Sequence, residues 1–161
     1  MITQSILALN LSYDPATGVF TWLQQCGRVK PGEIAGTISS NGYVQIRIKG
    51  RIYLAHRLAW LCMYGEMPAL MLDHINMNKQ DNRIANLRLA NKSQNAQNTL
   101  VSAANTSGYK GVSWSKQSKK WRASIKVNQK AKHLGFFELP EDAYAAYKNA
   151  AQELHTHSGC Y

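Results

Sequence analysis

Residues 71–98 read MLDHINMNKQDNRIANLRLANKSQNAQN. The apolar start predicts a short strand that ends at Asp73 and His74, and residues 75–82 form a polar loop. A helix candidate runs from about residue 92 to residue 98, and because it has little apolar content it must pack by one narrow face. Between loop and helix lies an apolar segment that contains Ile84, Leu87 and Leu89.

The residues before this stretch predict two β-hairpins and a helix. Residues 13–22 join a Pro/Gly turn to an alternating aromatic run, which is typical of a hairpin or a strand edge. Residues 42–54 alternate apolar and basic residues around Lys49-Gly50, which predicts a hairpin with one buried and one cationic face. A helical pattern from residue 56 to residue 64 ends before Gly65.

The composition predicts a polyanionic partner. Nineteen Lys and Arg oppose nine Asp and Glu, for a formal net charge of +10, which favours nucleic acid or an anionic membrane over a charge that serves only solubility. The apolar run at residues 58–63 is too short to span a bilayer, and residues 1–11 lack the features of a signal peptide. We therefore expect no membrane partner and a cytoplasmic location. Neither a disulfide framework nor a zinc knuckle is expected from the three scattered cysteines, Cys26, Cys62 and Cys160.

The central stretch resembles a known family. Residues 73–76 (DHIN), 81–88 (DNRIANLR) and 93–95 (SQN) resemble the HNH nucleases, in the subgroup of homing and phage endonucleases, and residues 56–60 (HRLAW) add to the likeness. The resemblance implies a ββα-metal motif and a metal-dependent DNA endonuclease of the nicking or homing type. It also implies a bacteriophage or mobile-element gene whose product acts in the bacterial cytoplasm on double-stranded DNA. Protein partners are not indicated.

The resemblance assigns roles to three side chains. Asp73 and Asn95 would bind one divalent ion, Mg²⁺ with Mn²⁺ as a substitute, and His74 would act as general base on water. The chemistry suits these residue types, because hard oxygen ligands bind Mg²⁺ and a neutral imidazole accepts a proton near neutral pH. Adjacent strand residues point to opposite faces, so a bend or bulge is expected at Asp73-His74. The alternative is a strand-end Asp-His pair that only forms hydrogen bonds.

Further residues are expected to support the site. By family position Asn86 pins the loop through backbone hydrogen bonds, while His56 either contacts phosphate or packs beneath Trp60. Met77 stands where the family commonly has glycine, which would cost about 1 kcal/mol if the position requires a positive φ. Three arginines are candidate phosphate clamps, or solvated charges only: Arg57, Arg83 and Arg88.

The C-terminal part has a different character. Residues 101–137 contain eight Lys or Arg and no acidic residue. Strand-like runs at residues 111–115, 121–127 and 132–137 precede an Ala-rich helix that begins at Pro140. Together they predict a small three-stranded antiparallel sheet packed on one helix.

The motifs YKGVSW (109–114), KWRASIK (120–126), LGFF (134–137) and DAYAAY (142–147) resemble the ethylene-response-factor class of DNA-binding domain. Ser113 and Ser115 stand where the plant domains have arginines, so their base preference does not transfer. The alternative is a domain that is basic only for solubility. The resemblance implies eight DNA-facing residues: Lys110, Ser113, Ser115, Lys120, Trp121, Arg122, Ser124 and Lys126.

These features predict an α+β chain in three parts. Residues 1–100 would form the HNH endonuclease domain, with β-hairpins before the ββα-metal motif. Residues 101–107 would be a linker, and residues 108–161 the DNA-binding domain. A single site per chain predicts nicking by a monomer. The alternative function is a non-catalytic DNA-binding protein that retains a decayed nuclease fold.

Overall fold

The computed structural model describes residues 2–102 and 104–157. Cys160, one of the cysteines considered above, lies outside the described residues. The chain divides into two compact units, Met1–Ala90 and Asn91–Tyr161. The predicted α+β class is confirmed, with small antiparallel sheets and four α-helices in the described part. In that part no helix has both the length and the apolar character needed to cross a membrane.

The first unit contains three helices or helical turns and seven strands. In chain order they are α1 (Gln4–Asn10), β1 (Leu11–Tyr13), β2 (Phe20–Trp22), β3 (Thr37–Ile38), β4 (Val44–Ile48), β5 (Arg51–Leu54), α2 (Ala55–Tyr64), β6 (Met71–His74), a 3₁₀ turn (Ile84–Asn86) and β7 (Leu87–Ala90).

Both predicted hairpins are confirmed. Strand β1 pairs antiparallel with β2, and β4 pairs with β5. Lys49 and Gly50 connect β4 to β5 with φ angles of 47° and 80°, the positive values that a two-residue hairpin turn requires. Helix α2 ends as predicted at Gly65, which has a left-handed conformation. Its buried side chains pack on the hairpins in a core that includes Leu7, Phe20, Ile46, Leu58 and Leu61.

Strands β6 and β7 carry the Asp-His pair. They are antiparallel, with Asp73 opposite Arg88 and His74 opposite Leu87, and the register is regular throughout. The bend or bulge that we expected between Asp73 and His74 is therefore absent. The turn comes one step later, where the amide of Met77 donates to the carbonyl oxygen of His74.

The second unit contains one short helix, a sheet and one long helix. They are α3 (Lys92–Gln97), β8 (Val112–Ser115), β9 (Lys120–Val127), β10 (Lys130–Phe137) and α4 (Pro140–Leu154). The sheet is antiparallel in the order β10-β9-β8, as predicted. One face of the sheet packs on α4. The strand residues that point to this face are every second residue, they are small or apolar, and they contact alanines and a tyrosine of the helix. The buried residues of this layer are Val112, Ala123, Ile125, Ala143, Tyr147 and Ala151.

The boundary between the units differs from the expected one. The first unit ends at Ala90 rather than at residue 100, so that α3 belongs to the second unit. Part of the expected linker is also ordered, since the Asn105 carboxamide oxygen accepts from the amides of Ser107 and Gly108 and its Nδ2 donates to the carbonyl oxygen of Tyr109. Residues 105–108 thus form the turn that leads into the sheet.

Candidate active site

The carboxylate of Asp73 is fixed by its cross-strand neighbour. Asp73 is only 5% exposed, and the Arg88 side chain donates from Nε (2.9 Å) and Nη2 (2.8 Å) to its Oδ2 atom. The bond follows from the register, because directly opposed residues of an antiparallel pair point to the same face. A buried carboxylate needs such a charged partner, so Arg88 holds Asp73 in one orientation.

His74 is held by an asparagine of the loop. Its Nε2 atom lies 3.4 Å from Oδ1 of Asn82, and both residues are buried. Nδ2 of Asn82 donates to the carbonyl oxygen of Gln80, which turns the amide oxygen toward the ring. Because that oxygen can only accept, this bond requires a hydrogen on Nε2 of the His74 ring.

The surroundings of His74 favour the neutral ring. Burial lowers the pKa of His74 below its usual 6.5, while the hydrogen bond to Asn82 and the charge of Asp73 act weakly in the opposite direction. A base must be unprotonated to work, so a lowered pKa keeps His74 ready at neutral and mildly acidic pH.

His56 packs against the site from helix α2. Its ring lies edge-on to His74, with 5.1 Å between ring centroids, and 5.3 Å from the ring of Tyr43. The ring of Trp60, four residues further along α2, lies against Tyr64. Burial lowers the pKa of His56 to about 3, and its Nδ1 atom has no hydrogen-bond partner among the described residues. His56 is therefore a neutral packing neighbour of His74.

Asn86 ties together the loop between β6 and β7. Its Oδ1 accepts from the amide of Asn76, and its Nδ2 donates to Oδ1 of Asn76 and to the carbonyl oxygen of Asp81. Within this loop Met77 has a φ of 61°, the left-handed value expected at a position where the family commonly has glycine. The strain of about 1 kcal/mol for a side chain there applies.

The first hairpin buttresses the same loop, which the sequence did not suggest. The hydroxyl of Tyr13 donates to the carbonyl oxygen of Asn82 at 2.8 Å, and burial raises the pKa of Tyr13 to about 12. Gly18 approaches so closely that a β-carbon built on it would lie 2.4 Å from the backbone nitrogen of Arg83. The loop that carries Asn82 is thus clamped against β1 and β2.

The candidate phosphate clamps all have protein partners. Arg57 donates to the carbonyl oxygen of Pro68, and Arg83 makes two bonds to the carboxylate of Asp81, of which the shorter is 2.6 Å. Arg88 is engaged with Asp73 as described above. Contact of these three side chains with phosphate stays a prediction.

Asn95, the third predicted site residue, lies on α3. The helix begins with a capping box, in which the side chains of Asn91 and Gln94 each accept a bond from the other's backbone amide. Asn95 is half-buried in the next position. Among the residues that the structure describes, no three His, Cys, Asp or Glu side chains form a metal-binding group. The expected donor set includes an asparagine, which is not of those types.

The predicted DNA-facing residues do not all share one face. The pairs Ser113–Arg122 and Ser115–Lys120 lie opposite each other across β8 and β9, on the face away from α4. We call this the outer face; by strand alternation it also includes Ser124, Lys126, Ala131, His133 and Phe136. A groove of about 330 Å³ on it is lined by Arg122, Ser124, Ala131, His133 and Phe136.

Two positions are corrected. Trp121 alternates with Arg122, and its ring packs on the opposite face with the core under α4 and with Trp114. Lys110 precedes the sheet and is half-buried, and its ammonium group donates at 2.7 Å to the carbonyl oxygens of Gln97 and Thr99. Neither side chain lies on the outer face with the other six.

Comparison with known proteins supports the resemblance of the central stretch. The HNH endonuclease family matches residues 53–97, from β5 to the end of α3. Protein 3.8 of Escherichia phage T7 is 34% identical over 101 residues, which cover 62% of this chain and 83% of that protein. A solved structure described as DNA binding and cleavage by the HNH homing endonuclease I-HmuI is 21% identical, with a TM-score of 0.47, and the match covers 96% of this chain and 83% of that one.

Proposed function

Because this chain belongs to the family of protein 3.8 of Escherichia phage T7 and carries an HNH endonuclease domain, we propose that it is a metal-dependent DNA endonuclease. It hydrolyses phosphodiester bonds of double-stranded DNA and is a nicking or homing-type phage enzyme. The relative from a phage supports action in the cytoplasm of a bacterial host.

One observation carries the proposal. At the end of β6, inside the segment that matches the HNH family, a buried carboxylate and a buried imidazole stand side by side, each with a polar partner that fixes its orientation. The partner of Asp73 is Arg88, and that of His74 is Asn82. Desolvated titratable groups held in this way cluster at functional sites.

The donors fit a hard divalent ion. Asp73 offers a carboxylate and Asn95 an amide oxygen, the ligand types that Mg²⁺ prefers, with Mn²⁺ as a substitute. Asp73 and Asn95 are the proposed metal ligands. Bound there, the ion would neutralise charge on the phosphate and stabilise the leaving 3′ oxygen.

The protein's own groups would handle the proton. As the water oxygen bonds to phosphorus, the ring of His74 takes its proton, and the bond from phosphorus to the 3′ oxygen breaks. The contact with Asn82 keeps the ring from rotating. Arg88 keeps the carboxylate of Asp73 in place.

The proposal is tested by nicking of a supercoiled plasmid. Purified full-length protein should convert it to open circles in Mg²⁺ or Mn²⁺ and leave it intact in EDTA, because the donors are oxygen ligands of a hard ion. The control is Asp73→Asn, which removes the ligand charge but leaves an oxygen to accept from Arg88. It should bind DNA and cut poorly.

The same assay separates the alternative. Protein that binds the plasmid but leaves it uncut with every divalent ion would be a non-catalytic DNA-binding protein. Full cutting in EDTA would overturn the metal assignment.

We also propose that the outer face of the C-terminal sheet binds DNA, as the resemblance to the ethylene-response-factor class implies. Its support is the placement of Lys120, Arg122 and Lys126 on one face away from α4. The Lys120 ammonium lies 2.8 Å from Glu138, but both side chains are exposed, and a surface ion pair of this kind is weak enough to exchange for phosphate.

A matched pair of double variants tests the outer face. Replacing Arg122 and Lys126 with glutamine should lower DNA affinity and reduce the slope of log affinity against log salt by about 2, since each phosphate contact contributes about 0.9. The control replaces Lys130 and Lys132 with glutamine. Both are exposed on β10, at positions that alternate with the outer-face residues Ala131 and His133. The net charge of the two proteins is equal, so equal slopes would show that the outer face does not bind DNA.

A further inference from the structure

Helix α3 is too short to be stable alone. It has six residues, and most of its side chains are polar. Its first turn is satisfied by the capping box. At its end the carbonyl oxygen of Asn95 accepts from the amide of Asn98 and that of Ala96 from the hydroxyl of Thr99, whereas the carbonyl oxygen of Gln97, the last helical residue, needs a donor from elsewhere.

That donor is Lys110. The ammonium of Lys110, just before β8, donates to the carbonyl oxygens of Gln97 and Thr99, at 2.7 Å each. Bonds from a charged donor are roughly twice as strong as neutral ones, and a cation at this end of a helix also complements its dipole. Burial lowers the pKa of Lys110, as expected for a lysine directed inward.

Other contacts join α3 to the same unit. The amide of His157 donates to Oε1 of Gln97, and Nε2 of Gln94 donates to the hydroxyl of Thr156. A cavity of about 490 Å³ lies between α3 and the sheet and helix of this unit; its lining includes Ala96, Gln97, Gly111, Tyr147 and His155. Because the side chains of α3 are mostly polar and leave this space open, the polar bonds at its end have greater weight.

We propose that Lys110 is a positioning residue, by which the C-terminal unit holds the helix that carries Asn95 in place. The inference rests on the proposed function, in which Asn95 is a metal ligand. Two of the three N–H groups of Lys110 are occupied by backbone carbonyls. Lys110 therefore acts through α3 and not as a contact to DNA, and the C-terminal unit contributes to metal binding as well as to DNA affinity.

The test compares three variants of the full-length protein. Lys110→Met removes both bonds, Lys110→Arg can still donate to two carbonyls, and Lys116→Met removes an exposed lysine from the same unit. Lys110→Met should weaken binding of Mn²⁺, measured by calorimetry with the ion alone, by about tenfold, the lower end of the loss seen when outer-shell support of a metal ligand is removed. The Mg²⁺ concentration for half-maximal cleavage should rise by a similar factor, with the KM for DNA little changed.

The controls should behave differently. Lys110→Arg should restore most of the ion affinity, and Lys116→Met, which removes a charge but no bond to α3, should leave it unchanged. If Lys110→Met instead raises only the KM for DNA and leaves Mn²⁺ binding unchanged, then Lys110 is a DNA contact and the proposal is wrong.

Hydrogen exchange separates this inference from the proposed function. In the protein without DNA or metal, the amides of α3 should exchange faster in Lys110→Met, while those of β9 and α4 stay protected. Unchanged exchange in α3 would overturn the anchoring role. Faster exchange with no effect on Mn²⁺ binding would keep the anchoring and overturn the link to the metal. A wild-type protein that never cleaves would refute the nuclease proposal while the exchange result stands.

Discussion

Replacing His74 with alanine is expected to slow phosphodiester cleavage by about 10²-fold or more, the usual contribution of a general base. DNA affinity should change little, because the ring is buried and 4% exposed. The comparison is made under single-turnover conditions with saturating Mg²⁺. Equal cleavage by the variant and the wild type would remove His74 from the mechanism.

Two further measurements distinguish a base from a packing residue. Free imidazole should restore part of the activity of His74→Ala, since it can accept the proton in the vacated space. The wild-type rate should fall as acid protonates the ring, and because burial lowers the pKa of His74, the midpoint of that fall should lie below pH 6.5. The variant should lose this dependence.

Gly18→Ala is expected to destabilise the first unit by about 2–5 kcal/mol, from overpacking and from the left-handed backbone together. Gly18 has a φ of 75°, and the new β-carbon would lie 2.4 Å from the backbone nitrogen of Arg83 and 2.6 Å from the carbonyl carbon of Asn82. Backbone atoms cannot rotate away, so the loop must move. The measurement is urea unfolding, followed by cleavage at saturating DNA.

Gly32→Ala is the matched control. Gly32 also has a positive φ, 86°, but nothing lies within 4 Å of a built β-carbon. It should lose only about 1 kcal/mol, the cost of the backbone conformation. Equal losses at the two positions would show that Gly18 is not in close contact with the loop.

Local patterns predicted the elements well. The alternation of residues 42–54 and the Lys49-Gly50 turn determine a hairpin without help from the rest of the chain. Gly65 ends α2 because it accepts the left-handed conformation. These features depend on neighbours in sequence, which a single sequence displays.

The partners within the candidate site could not be predicted in the same way. Asn82 is one of several asparagines between residues 76 and 98, and only the folded loop shows that it faces His74. The pairing of Asp73 with Arg88 depends on the register of β6 and β7. If residues 71–90 are taken as a hairpin and its register is predicted, Asp73 lies opposite Arg88, so the pair could have been identified from sequence because opposed strand residues share a face.

The two corrections in the C-terminal unit have different causes. Trp121 could have been placed from sequence, since it is two residues from buried Ala123 and therefore shares its face. Lys110 could not, because its acceptors belong to a segment more than ten positions earlier, beyond residues whose composition suggested a flexible linker.

The location of α3 constrains how such genes can be recombined. A chimera joined at the polar stretch after residue 100 would take α3 from one parent protein and Lys110 from the other, so that the helix would lie beside the sheet of a different protein. A joint between Ala90 and Asn91 would take the helix and Lys110 from the same parent protein. Exchange of the second unit would then also replace Asn95, so that the incoming unit would supply its own helix with the proposed metal ligand.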